Sequence, residues 1–178
     1  MATHFYTASS LDGYLATPDN SLEWLFKQHF DMQGPMAYTE FIKRIGTLVM
    51  GRSTYQWLLD HSDVWEYAQP TWVFTHKELK HPTGADIRFV QGDIGAIFPR
   101  IQKAAGDKDI WIVGGGVLAV QFAQAGLLDE LWVQFAPVTL GSGKPLFPRE
   151  QQFELLETVR NQDFVCAHFK LAHQRTMH

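Results

Sequence analysis

The chain has 178 residues, of which 46% are hydrophobic and 13% aromatic, and its 15 basic and 19 acidic side chains give a net charge of −4. A chain of this length can build one core that buries roughly 70% of its unfolded surface, so one domain over residues 1–178 is expected, and disordered or collagen-like classes are excluded. No run of like charges marks a nucleic-acid partner, and the lone Cys166 excludes an intrachain disulfide and a cysteine-built zinc site while suiting a reducing cytoplasm.

Met1 to Tyr6 contains no basic segment followed by an apolar run, so no secretory leader is expected. The first apolar run, Phe5 to Ala8, reads as a strand. It leads into a long stretch from Ser9 to Pro35 with turn signals at Asp12-Gly13 and Pro18-Asp19-Asn20, and a stretch that long is usually functional. Tyr38, Phe41, Ile42 and Ile45 then share one face of a predicted helix, and Thr47 to Met50 reads as a strand covered on both sides.

Beyond Gly51 the pattern alternates. A helix through Tyr55 and Leu58 precedes a strand over Thr71 to Thr75. A strand over Ile87 to Val90 precedes a helix with Ile94, Ile97, Phe98 and Ile101 on one face. Ile110 to Val113 reads as a strand, followed by three glycines, a helix carrying Leu118, Phe122 and Ala125, and a strand over Leu131 to Phe135. The apolar stretch from Ile110 to Leu128 is broken by Gln121, Gln124 and four glycines, so it is a poor membrane span.

Phe153 to Arg160 and Phe164 to Ala172 form two alternating runs around Asn161-Gln162-Asp163. In the second, Val165, Ala167, Phe169 and Leu171 share a face opposite His168 and Lys170, the period of a half-buried antiparallel strand. The expected fold is α/β in three layers. Its central sheet is mixed but mainly parallel, flanked by helices, with a C-terminal antiparallel hairpin.

Two glycine turns follow predicted central strands and open helices, at Met50-Gly51-Arg52-Ser53-Thr54 and at Val113-Gly114-Gly115-Gly116-Val117. Helix starts offer unpaired N–H groups and a positive dipole end to phosphate, so two of them suit a dinucleotide. Gly114, Gly116 and Ala119 also match G-x-G-x-x-A, but a Rossmann site needs an acidic residue at the end of the next strand, where position 134 is Gln.

The Arg52 guanidinium beside the Ser53 and Thr54 hydroxyls can bind a phosphate, and His76 and Lys77, just past the strand ending at Thr75, can form the other side of that pocket. A 2′-phosphate, hence NADPH, is the implied ligand. Asp12 is the candidate carboxylate at the site mouth, although an Asp-Gly pair also serves simply to shape a turn. Trp24, Phe41 and Trp57 are candidates for an aromatic substrate wall, with core packing as the alternative. The eight histidines, at positions 4, 29, 61, 76, 81, 168, 173 and 178, show no ligand spacing, and no metal is expected.

Ser10-Leu11-Asp12-Gly13, Gly51-Arg52-Ser53-Thr54-Tyr55, Val113-Gly114-Gly115-Gly116, Leu127 to Leu131 and Ala136 to Gly143 together resemble the dihydrofolate-reductase-like superfamily over nearly the whole chain. The similarity is greatest to the reductase domain of riboflavin biosynthesis and its stand-alone relatives. It implies an NADPH-dependent, homodimeric reductase that passes a hydride to a small heterocyclic (pyrimidine- or pterin-like) or carbonyl substrate. Arg52, Ser53 and Thr54 would lie at the adenosine end, Thr75 and His76 near the 2′-phosphate, and Gly115, Gly116, Val117 and Leu118 at the pyrophosphate. A nucleotide-binding module of the same fold without catalysis is the alternative.

The departures narrow the substrate. Tyr38 occupies the position where dihydrofolate reductases carry a carboxylate, with Glu40 the nearest acid. Val113 and Tyr14 stand where riboflavin-pathway reductases usually carry a glutamate and a basic residue. The expected substrate is therefore neither dihydrofolate nor a ribosylaminopyrimidine phosphate. Tyr38 and Phe41 remain candidates for the substrate side.

Overall fold

The computed structural model describes residues 1–172. An eight-stranded sheet runs in the order β5-β4-β3-β6-β1-β7-β10-β9. Its strands are β1 (Thr3–Ser9), β3 (Ile45–Gly51), β4 (Thr71–Phe74), β5 (Ile87–Val90), β6 (Asp109–Gly114), β7 (Glu130–Phe135), β9 (Phe153–Asn161) and β10 (Phe164–Leu171). The pairs from β5 through to β7 are parallel, whereas β10 runs antiparallel to both β7 and β9. The three-layer, mainly parallel arrangement with a C-terminal hairpin is the one expected.

Continuous apolar runs form the central strands because helices cover both faces. Leu48, Val49 and Met50 of β3 are fully buried, as are Ile110 and Ile112 of β6. On one face α4 (Ile94–Ala105) and α5 (Gly116–Gln124) bury Ile97, Ile101, Leu118 and Phe122 against Phe5, Val49 and Ile112. Each such side chain contributes about 1.5–3 kcal/mol by leaving water. Gly46 lets the end of α4 close on β3, since a Cβ there would press into the Ala105 carbonyl. On the opposite face α2 (Tyr38–Phe41) and α3 (Arg52–His61) pack Phe41 and Tyr55 against Tyr6, Met50, Val73 and Trp111 of the sheet.

Three local expectations are corrected. Ile45 opens β3 rather than continuing a helix, because α2 is one turn long and gives way to a 3-10 turn over Ile42–Arg44. The stretch after β1 holds β2 (Tyr14–Ala16) and α1 (Glu23–Phe26), and β2 pairs with the distant β8 (Lys144–Pro145). β10 departs from the alternation read for it, since Val165 of the face expected inward is exposed, whereas Cys166 and His168 of the opposite face are buried and half-buried. Cys166 is fully buried beside Trp24 and Phe164, and His168 stacks on Trp132 at 3.5 Å between ring centroids.

Candidate active site

Strand register sets the site. Met50 lies opposite Gly114 and Gly51 opposite Phe74, so β3, β4 and β6 end at one level. Ligands of open parallel sheets bind at such carboxyl ends. There α3 and α5 begin, with Gly51 and Gly115 as their N-caps and no side chain accepting from the first turn of either. In α4, by contrast, Asp93 caps the helix by accepting from the Ala96 N–H at 2.8 Å. The free N–H groups of α3 and α5 open on a shared cleft of about 630 Å³.

Gly115 and Gly116 differ in what surrounds them. No atom lies within 4 Å of a Cβ built on Gly115, whereas one on Gly116 would meet the Pro145 and Leu146 carbonyls. Gly115 therefore leaves the cleft open to a close-approaching group, and Gly116 seats α5 against β8. The peptide between Gly114 and Gly115 is cis. Val117 is exposed, Leu118 is buried, and both line the cleft.

Arg52, Ser53 and Thr54 line the same cleft. A Cβ on Gly114 would sit 3.0 Å from Thr54 Oγ1, which fixes how closely the two turns approach. Lys144 joins them from β8, next to the Pro145 that abuts Gly116. Thr75 and His76 do not line the cleft. They follow Phe74, which does, and so leave the sheet one strand over from Arg52. Thr75 Oγ1 accepts from the Lys77 N–H at 3.1 Å, and His76 Nδ1 lies 3.1 Å from Gln91 Oε1.

The other end of the cleft is apolar. Leu15 and Leu22 come from the stretch after β1, Trp57 and Leu58 from α3, and Thr7 and Val113 from β1 and β6. At 1.5 Å of rise per residue, Trp57 lies roughly 7–8 Å along the helix from Arg52, so the two ends are distinct. The Trp57 ring stacks on His61 at 4.0 Å and lies 6.3 Å from Phe26.

Asp12 lies outside this lining and acts as a tie. It accepts from the Ser10 hydroxyl at 2.6 Å, from the Leu140 N–H at 3.0 Å and from the Gly141 N–H at 2.8 Å, joining the turn after β1 to the 138–141 segment. The Ser10 bond first, and then the backbone bonds, hold its carboxyl down at about 2. Gly13, with φ of +85°, adopts a left-handed conformation that only glycine takes without strain.

The structure places the remaining candidates in the packed interior. Phe41 stacks on Tyr6 at 4.2 Å, and Tyr38 packs 5.7 Å from Trp111 with its hydroxyl pKa raised by burial and then by the nearby Glu66 charge. Trp24 is buried beside Ala136 and Cys166, donating from Nε1 to the Ser21 carbonyl at 3.2 Å. None of the three lines the cleft. Burial also pushes the Cys166 thiol up to about 11, which keeps it protonated.

Sequence reasoning did not single out Leu15, Asn20, Leu22, Leu58, Gln121 or Lys144, all of which line the cleft. Asn20 lies in the Pro18-Asp19-Asn20 turn signal and Lys144 follows the Gly141-Ser142-Gly143 stretch, but the β2–β8 pairing that delivers Lys144 is long-range. Among the described residues no cluster of three or more His, Cys, Asp or Glu can hold a metal, and no helix is long and apolar enough to cross a membrane. His173 and His178 lie outside the described residues.

A family model, the RibD C-terminal domain, matches residues 49–169. The uncharacterized protein YwjB of Bacillus subtilis (strain 168) is 34% identical over 146 residues, 82% of this chain and 82% of its own length. A structure from Shewanella sp. PV-4 named for riboflavin biosynthesis superposes with a TM-score of 0.83 at 27% identity, covering 97% of this chain and all of that one. Dihydrofolate reductase from Enterococcus faecalis, complexed with NADP(H), shares the fold at a TM-score of 0.64 and 16% identity, with 97% of each chain covered. The fold is thus dihydrofolate-reductase-like, and the chain belongs to the RibD C-terminal domain family, whose members are reductase-like.

Proposed function

We propose that the protein is an NADPH-dependent reductase of a small molecule. The observation that carries this reading is the convergence of two helix N-termini without side-chain caps, with Arg52 and Lys144, on one cleft. The residues fit a dinucleotide. Arg52, Ser53 and Thr54 offer charge-assisted donors for an adenosine-side phosphate, with Thr75 and His76 flanking. Gly115 to Leu118 and Lys144 present backbone N–H groups and an ammonium to a pyrophosphate. NADPH supplies a hydride when bound, and the chain's part is to hold it, orient it and exclude water at the apolar end.

Cytoplasmic residence, which the lone buried Cys166 suits, and a homodimeric assembly belong to the same proposal. Titration with NADPH and NADH tests the reading. NADPH should bind the more tightly, and binding of neither would overturn it.

A further inference from the structure

Lys144 is a cleft cation carried on a segment that packing does little to hold. β8 is two residues long, its register with β2 shifts between Tyr14 and Ala16, and Gly141, Ser142, Lys144 and Pro145 are all exposed. A two-stranded pair is marginal by itself even when it is longer than this. What fixes the segment is hydrogen bonding to the turn after β1. The Leu11 N–H donates to the Val138 carbonyl at 2.7 Å and the Leu146 N–H to the Gly13 carbonyl at 2.9 Å, one on each side of Lys144. Between them the Asp12 carboxylate accepts from the Leu140 and Gly141 N–H groups at 3.0 and 2.8 Å. Asp12 alone among these partners acts through its side chain. That side chain is aimed by Ser10, whose hydroxyl donates to it at 2.6 Å and accepts from the Tyr14 N–H, at the start of β2, at 2.9 Å.

Two observations connect this tie to ligand binding. Lys144 lines the cleft with Arg52, and no Asp or Glu among the described residues lines it, so no acid there orients the ammonium. The Pro145 and Leu146 carbonyls that follow Lys144 stand where a Cβ on Gly116 would be, at the start of α5. Gly141 and Lys144 are separated by at most roughly 10–11 Å of extended chain, so the backbone that Asp12 holds is the backbone that carries the cation. We propose that Asp12 is a positioning residue for anion binding: by holding the Leu140 and Gly141 N–H groups it fixes where Lys144 stands in the cleft. An ammonium on a flexible stem gains little from an anion if stem and backbone must both be ordered on binding. That the anion is the pyrophosphate of NADPH rests on the proposed function, while the tie stands on the hydrogen bonds.

Charge and position predict opposite signs. Asp12→Asn removes a negative charge near an anion site, so charge alone would tighten NADPH, whereas a weakened tie loosens it. Asp12→Glu keeps the charge and displaces the carboxylate, so charge alone would change nothing. The test is a double-mutant cycle on the full chain, read by calorimetric titration with NADPH and, separately, with inorganic pyrophosphate. Lys144→Met should weaken both by ~5–10-fold, and Asp12→Asn and Asp12→Glu should each weaken both by ~3–5-fold. In the Lys144→Met background, Asp12→Asn should cost less than ~1.5-fold, because its route to the anion is gone; a merely structural role would multiply the two losses. Asp12 is exposed, and thermal unfolding of both variants checks that each is folded at the temperature of titration. If NADPH binds but neither Asp12 variant weakens it, or the losses multiply, the inference is overturned and the proposed function stands. If pyrophosphate shows the coupling and NADPH does not bind, the cofactor reading falls and the positioning role stands. Binding of neither overturns both.

Discussion

Gly115 and Gly116 are neighbours required for opposite reasons. Gly115→Ala meets no atom within 4 Å, so it should leave thermal stability nearly unchanged while its methyl group obstructs the phosphate approach and weakens NADPH by ~10-fold or more. Gly116→Ala forces a Cβ against two backbone carbonyls and should cost ~1–3 kcal/mol of stability. Chemical denaturation alongside NADPH titration separates the two effects. Arg52→Ala should reduce NADPH affinity by roughly 10–100-fold, the loss of a charged hydrogen-bonding partner, with NADH little affected; an unchanged preference would remove Arg52 from the site.

Asp12 makes a pH-dependent prediction. Its folded-state pKa, about 2, is below the ordinary 3.8, so its stabilisation is fully present above the ordinary value and is lost as pH falls through the folded one. Asp12→Asn keeps the size but offers a single acceptor oxygen to the Leu140 and Gly141 N–H groups. It should lower the melting temperature at neutral pH by a few degrees. The gap to the unmodified protein should close as pH approaches 2, which thermal unfolding across pH would show; a gap independent of pH would contradict the tie.

Among the elements, the helix starts carry the functional distinction. Asp93 satisfies the first turn of α4, so Asp93→Ala should cost about 1 kcal/mol of stability and leave NADPH binding untouched. The starts of α3 and α5 have no such cap and face the cleft. The two glycine starts were legible in the sequence, where glycine turns follow buried strands, whereas the Asp93 cap was not singled out there. The long-range pairing of β2 with β8 was not legible, because two- and three-residue strands carry too little periodicity to reveal a partner. Ile45 misled because the period that places Tyr38, Phe41 and Ile42 inward continues into the first residue of β3, and apolar spacing alone does not mark where a helix gives way to a strand.

At the scale of the whole molecule, the sheet order explains why some candidate residues meet and others do not. Register brings the ends of β3, β4 and β6 level, so Arg52, Gly115 and their neighbours converge across a sequence separation that no local pattern measures. Phe41 and Tyr38 of α2 pack against the opposite face of the same sheet, and a large aromatic side chain looks alike in sequence whether it lines a pocket or fills a core. Fold class was therefore readable from alternation, and the half of the cleft proposed to hold the cofactor phosphates from glycine and arginine positions. The apolar half required the closed tertiary structure.

The central claim is that two helix N-termini and Arg52 form a site for a phosphorylated dinucleotide. Equilibrium titration of the protein with NADPH and NADH, followed through tryptophan fluorescence, tests it most directly because Trp57 lines the cleft. The account predicts saturable binding of NADPH at least ~10-fold tighter than of NADH. Equal affinity for the two would contradict the role of Arg52, and no binding of either would contradict the site itself.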